Sequence, residues 1–320
     1  WHRYRSSQMG VNSALAEELT AREESVILVV SQYLGSQRAA ADVQAAQSRV
    51  ELAQALYDQA ADLQKNGAGT GIDTLRANVE LQNEKQRLIL SRTQLETSLF
   101  GLGRLLNLDP HRKLELGDQM SFFDTPETAV DQTLDQAYAA RPELRQLQIE
   151  EQRAGLDQKS AADARLPKLT ANGAWLEQGL TPASIIPVYQ YQASLDFPLF
   201  TGGRIQAERA KADLALRQLK QQETELRNRI ALEVKTAAAQ LEAARSEVTV
   251  ANLGVQLARQ EVDQARDRFQ AGVANNIEVV TAQDALTRAS DNQIAALYRY
   301  NQSRADLAHA SGQMESLYAK

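Results

Sequence analysis

Leu63-Gln64-Lys65-Asn66-Gly67-Ala68-Gly69-Thr70-Gly71-Ile72-Asp73 and Arg268-Phe269-Gln270-Ala271-Gly272-Val273-Ala274-Asn275-Asn276-Ile277-Glu278 read as copies of one element, about 205 residues apart. Each lies between two long, proline-free segments rich in Ala, Gln and Leu. The duplication predicts two tandem helical hairpins, each with a glycine-containing tip. Gly67 and Gly272 fall where an incoming helix ends, the position a left-handed cap reserves for glycine. Thr70-x-x-Asp73 and Asn275-x-x-Glu278 have the form of a capping box that opens the returning helix. Capping is the plain reading of Asp73 and Glu278. A pore-facing gating role is the sharper reading, and the two are compatible.

Composition agrees with long helices. Of 320 residues, 24% are charged and 5% aromatic, a bias of coiled coils rather than of a thick globular core. The formal net charge is −6 with no basic block, which argues against a nucleic-acid partner. The absence of cysteine removes disulfides, thiolate catalysis and zinc–cysteine sites. No run of about 18 apolar residues exists, so no transmembrane helix is expected. His2, His111 and His309 are scattered without metal-ligand spacing. No nucleophile elbow is present, and Gly202-Gly203 lack a phosphate-loop lysine. No catalytic residue, metal or cofactor is therefore expected, and the chain does not read as an enzyme.

All seven prolines lie between Pro110 and Pro198, and proline breaks helix interiors. The flanks can hold long helices and the middle cannot hold one uninterrupted helix. Helices are expected at about 8–66, 72–107, 127–140, 143–165, 203–270 and 276–311. In the longest, Val234, Leu241, Val248, Val255, Val262 and Phe269 recur every seven residues, and Ala237, Ala244, Ala251, Ala258 and Ala265 follow three positions later. This is a heptad with large residues at one seam position and alanine at the other. The first copy repeats it with Val29, Ser36, Val43, Val50 and Tyr57, and with Ala39, Ala46, Ala53 and Ala60. By itself the pattern means a coiled coil and nothing functional.

Strand signals occur in the middle. Lys168–Trp175 alternates polar and apolar residues, and Val188–Phe197 does so more clearly. Tyr189, Tyr191, Ala193, Leu195 and Phe197 share one face; Gln190, Gln192, Ser194 and Asp196 share the other. A transmembrane β-barrel strand needs this alternation over about 9–11 residues, and a soluble two-faced sheet has it too. Aromatics near the strand ends (Trp175, Tyr189, Phe197, Phe200) and the lack of a core to pack on favour lipid contact by Trp175, Tyr189, Tyr191, Leu195 and Phe197. Two strands cannot close a barrel, so an oligomer must complete it.

Leu195-Asp196-Phe197-Pro198-Leu199-Phe200-Thr201-Gly202-Gly203-Arg204 runs from a strand into a long helix. With Arg141-Pro142-Glu143-Leu144, Arg165-Leu166-Pro167-Lys168-Leu169, Leu105–Pro110, Ala308–Gly312 and the paired tips, the chain resembles, over nearly its whole length, the TolC family of bacterial outer-membrane efflux and secretion channels. The resemblance implies a homotrimer in which each protomer gives four strands to one twelve-stranded barrel. It also implies helices forming a periplasmic tunnel, and tips forming its entrance against a periplasmic adaptor (membrane fusion) protein that joins an inner-membrane pump. The implied entrance residues are Gly67, Ala68, Gly69, Thr70, Gly71, Asp73, Gly272, Val273, Ala274, Asn275, Asn276 and Glu278.

The expected organisation is mainly α: a first hairpin repeat at 1–125, short equatorial-type helices at 126–166, a strand pair at 167–201 and a second hairpin repeat at 202–320. The repeat offset places a first strand pair before residue 1, so the family's other two strands are expected to precede this sequence. Ala274 stands where family members that are held shut often carry arginine, and Thr281 where a second acid is common. The implied function is a passive exit duct for an efflux pump or type I secretion system, in the outer membrane and periplasm. A pore-less coiled-coil scaffold is the competing reading.

Overall fold

In the computed structural model, the described residues are 2–123, 129–178, 186–274 and 276–318. The order is α1 (His2–Lys65), α2 (Gly71–Leu105), α3 (Val130–Ala140), α4 (Pro142–Asp163), β1 (Lys168–Gln178), β2 (Ile186–Asp196), α5 (Arg204–Gln270), α6 (Asn276–Ala310) and α7 (Met314–Tyr318). The tandem hairpins and the single strand pair match the sequence reading. Helix ends shift by a few residues. α1 starts at His2 rather than near residue 8, and α7 was not expected.

Two compact units divide the chain. One comprises the residues up to Thr20 with Pro142–Asn228. In it, Pro142 occupies the first position of α4, where its missing N–H costs nothing. Ser13 donates to Glu150 at 3.3 Å and Gln148 to Glu223 at 3.4 Å, tying α1, α4 and α5 together. Gly202 and Gly203 have φ of +56° and +85°. That left-handed pair, which glycine adopts freely, turns the chain from β2 into α5.

The other unit comprises Ala21–Arg141 and the chain from Arg229 onward. Its seam follows the second-copy heptad: Val234, Val248, Val255 and Val262 are buried, as are Ala237, Ala244, Ala258 and Ala265. In the first copy the alanines Ala39, Ala46, Ala53 and Ala60 are buried, as is Ser36, but Val29, Val43, Val50 and Tyr57 are only half-buried. Leu56 takes the place expected of Tyr57. It packs against Val262, Ala265, Val279 and Ala282. The physical reason is that α1 faces α5 and α6 as well as α2, so its apolar stripe is wider than a two-helix seam.

Long-range hydrogen bonds close this unit. The Tyr300 hydroxyl, fully buried, donates to the Phe123 carbonyl, and Asn301 donates to the Ser121 carbonyl at 3.1 Å. Together with Gln37, which reaches the Asp118 carbonyl at 3.3 Å, they hold an extended segment that has no ladder partner. α7 is capped from afar: the Glu23 carboxylate accepts from the backbone N–H groups of Met314 and Glu315 at 3.1 and 3.3 Å. Arg141 is buried at the start of α4, where it donates to the Ala310 carbonyl at 3.3 Å and pairs with Glu233 at 2.8 Å. A guanidinium thus caps the last turn of α6, where the dipole favours a cation.

Arg141→Ala removes that cap and leaves carbonyls of α6 unsatisfied. Because Glu233 is part-exposed and rehydrates, the expected loss is about 2 kcal/mol rather than the larger penalty of a fully buried pair. A urea midpoint shift at unchanged slope would measure it; an unshifted midpoint contradicts the capping role.

Candidate functional site at the hairpin tips and the strand pair

The two tips end their incoming helices in the same way. Gly67 donates to the Gln64 carbonyl at 3.1 Å and Ala68 to the Leu63 carbonyl at 2.9 Å; Gly272 donates to Phe269 and Val273 to Arg268, both at 3.0 Å. With φ of +72° and +71° at Gly67 and Gly272, both are Schellman caps. The first tip is held by one bond more than the second among the described residues. Gly69 also donates to the Leu63 carbonyl at 2.9 Å. A Cβ on Gly69 would lie 2.9 Å from the Leu63 Cβ. Gly69 is therefore required by close approach.

The returning side departs from the expected capping box. Thr70 has extended φ and ψ of −101° and 150°, but its side chain makes no cap bond. Its hydroxyl instead donates to the Asp73 carboxylate. Asp73 also faces Arg76 at 3.9 Å. Asn275 lies outside the described residues, and Asn276 begins α6. Glu278 pairs with Arg268 across the tip at 2.9 Å. Sequence reasoning missed Arg268, although the repeat offered a signal: its counterpart in the first copy is Leu63, so the charge is new to the second tip. Both pairs are well exposed, and each contributes less than about 1 kcal/mol.

Ala68, Gly71 and the other tip residues whose burial is described sit at the surface or near it. Ile72 and Ile277 occupy equivalent places in the two copies and expose half their surface, and Val273 and Leu75 expose more. Ala274 is half-buried. The stalks just behind the tips meet through Leu56, Val262, Ala265, Val279 and Ala282, with Phe269 and Leu286 alongside. The Thr74 hydroxyl donates back to the Ala60 carbonyl at 3.2 Å.

β1 and β2 are antiparallel over eleven residues each, with Leu169 opposite Leu195, Gly173 opposite Tyr191 and Trp175 opposite Tyr189. Directly opposed residues share a face. One face therefore gathers Leu169, Ala171, Gly173, Trp175, Tyr189, Tyr191, Ala193 and Leu195, with Glu177 opposite Pro187 at its far end. The other gathers Lys168 with Asp196, Thr170 with Ser194, Asn172 with Gln192 and Ala174 with Gln190, and at its far end Leu176 with Val188 and Gln178 with Ile186. Thr170 and Ser194 hydroxyls bond at 2.6 Å. The Tyr191 ring lies over Gly173, 3.5 Å from where a Cβ would stand. Trp175, Tyr189, Tyr191 and Leu195 are all exposed, Tyr191 by 83%. Phe197 is exposed too, but it lies one residue beyond β2. Pro198 explains this, since it supplies no ladder donor.

Among the described residues, no helix is long and apolar enough to cross a membrane, and no His/Cys/Asp/Glu group is placed to hold a metal. The former says nothing about a β-barrel, whose strands need only one apolar face.

Comparison with known proteins fits this geometry. The family described as "Outer membrane efflux protein" matches residues 133–313. The pyoverdine export outer membrane protein OpmQ of Pseudomonas aeruginosa is 26% identical over 238 residues, covering 70% of this chain and 48% of that protein. The chain thus spans about half the length of that relative. The outer membrane protein VceC of Vibrio cholerae superposes with a TM-score of 0.81 at 17% identity, covering 96% of this chain and 74% of that one. The CmeC outer membrane channel of Campylobacter jejuni gives 0.80 at 17%, covering 98% and 67%. The chain belongs to the outer membrane efflux protein family and is an outer-membrane protein with the TolC-like helical fold.

Gly69→Ala is expected to disrupt the first tip locally. Amide hydrogen exchange at Ala68 and Gly69, whose N–H groups share the Leu63 carbonyl, should lose its protection while the seam of α1 keeps its own. Retained protection at both amides would show that the close approach is dispensable.

Proposed function

We propose that this protein is a passive exit duct, a homotrimer crossing the outer membrane and reaching into the periplasm. The observation that supports it best is the strand pair, which from Lys168 to Trp175 and from Tyr189 to Asp196 sets an exposed aromatic and aliphatic face against a hydroxyl, amide and charged one. That division suits lipid on one side and a wet lumen on the other. Trp175, Tyr189, Tyr191, Leu195 and the adjoining Phe197 are its lipid-facing set. Among the described residues the outer edges of the two strands are unpaired, and neighbouring strands in an oligomer must satisfy them.

In this reading, 1–125 and 202–320 are the two hairpin repeats, 126–166 the equatorial connection and 167–201 the barrel strands. The tips, Gly67 to Asp73 and Gly272 to Glu278, form the periplasmic entrance and the contact with an adaptor (membrane fusion) protein. Exposed Ile72, Ile277 and Val273 supply apolar anchors for that contact. An inner-membrane pump, of either the efflux or the type I secretion class, supplies the energy. The duct itself performs no chemistry and needs no cofactor.

Threefold symmetry would make Glu278 three carboxylates around one axis, and rings of like charge filter ions. Arg268 stands against each of them and weakens the filter. Ion selectivity of the purified trimer in a planar bilayer tests this: Glu278→Ala should lower the cation preference and Arg268→Ala raise it. An unchanged selectivity in both variants removes the filter and leaves these residues as hairpin supports. A photoreactive residue at Val273 should cross-link in cells to an adaptor-sized protein. Lack of any such adduct, with the trimer intact, would refute the tip assignment.

A further inference from the structure

Glu84 stands where the α2 seam calls for an apolar residue. Ala77, Leu81, Glu84 and Leu88 are spaced four, three and four apart, and all four are buried, Glu84 to 3% exposure. A carboxylate in such a position costs several kcal/mol unless it is paired. Its partners come from two directions. Arg87, one turn on, reaches one carboxylate oxygen at 2.6 Å. Arg49 of α1 lies 3.3 Å from the other, too far off-line for a hydrogen bond but close enough for Coulomb attraction. Arg49 then continues to Asp291 of α6 at 2.9 Å. One guanidinium, itself largely buried, thus stands between a carboxylate of its own hairpin and a carboxylate of the other.

The surroundings are charged and roomy. A cavity of about 410 Å³ opens beside the cluster, lined from four helices by Arg49, Glu84, Arg259, Gln283, Asp284 and Ile294 among others. The ionisable groups facing the cluster are Arg38, Asp42 and Arg49 from α1, Glu80 and Arg87 from α2, Arg259 from α5, and Asp284 and Asp291 from α6. Such a cavity gives water a place to enter when the helices part. Polar groups at a seam position ordinarily specify register and partner. A merely register-setting role needs neither the second hairpin's Asp291 nor the cavity.

We propose that Glu84, Arg49 and Asp291 form a proton-sensitive clasp that holds the first hairpin against the second. Burial pushes the Glu84 carboxyl above its ordinary value of 4.5; Arg87 and Arg49 offset part of this, and Glu80 adds to it. Burial raises Asp42 likewise, with Arg38 and Arg49 opposing and Asp291 reinforcing. A carboxyl whose value is raised in the packed form binds its proton more tightly there than when hydrated. The packed form therefore gains stability as pH falls through the raised value and loses it as pH rises above. Acidification tightens the clasp, and neutral pH loosens it.

The chain has no cysteine, so Asn83→Cys and Asn292→Cys, both exposed, place spin labels on α2 and α6 of the full chain. Between about pH 7.5 and about pH 4.5 the long-distance population should fall several-fold. Glu84→Gln should hold the short distance throughout and lose most of the pH dependence. Arg49→Gln, which removes the cation between Glu84 and Asp291, should raise the long-distance population, more at about pH 7.5 than at about pH 4.5, where Glu84 is protonated. If Arg49→Gln does not fold, as judged by helical circular dichroism, Arg87→Gln should raise the long-distance population at about pH 7.5 in the same way, from the exposed side. Distances that do not respond to pH in the parent overturn the proposal, as does full pH dependence in Glu84→Gln.

Discussion

Alanine at every seventh residue of the seam is the constraint on which the rest depends. An alanine-rich helix buries too little apolar area to stand alone in water, and most helical stability comes from tertiary packing. Part of the second hairpin's seam is buried against α1, as Leu56 with Val262, Ala265, Val279 and Ala282 shows. Small residues leave little hydrophobic surface to spare. The pairing is therefore reinforced by directional contacts: Arg49 to Asp291, Tyr300 to the Phe123 carbonyl, Arg141 to the end of α6. Each costs desolvation and repays it through geometry, so each helps select one arrangement of hairpins over others.

The tips and the strand pair show the same economy in other forms. A hairpin tip has no core, so backbone hydrogen bonds and left-handed glycines shape it. The first tip closes on a third glycine, Gly69, and the second on an ion pair, Arg268 with Glu278. Two copies of one ancestral element have thus reached similar turns by different means. The strand pair buries almost nothing by itself. Its sorted faces and open edges make sense where lipid and further strands complete it.

Much of this was legible in the residues. Heptads, proline placement and period-two alternation located the long helices and both strands to within a few residues, because each pattern is local and repeats. Gly67, Gly272, Gly202 and Gly203 were legible as bends, since only glycine adopts those backbone angles freely. The capping box at Thr70 misled. The hydroxyl had a choice between a backbone N–H and the Asp73 carboxylate, and spacing does not decide which it takes. Tyr57 misled as well, because a two-helix seam was assumed where four helices meet. α7 was invisible, since its cap, Glu23, lies some 290 residues away in the chain.

Sequence alone determined the duplication, the hairpins, their glycine turns and the two-faced strands, all consequences of short-range stereochemistry and periodicity. Only the tertiary structure decided which charges meet. Arg268 with Glu278, Arg141 with Glu233 and Arg49 between Glu84 and Asp291 join residues ten to two hundred and more apart. No local pattern encodes such pairs, because a charged side chain is equally at home in water until packing removes that option.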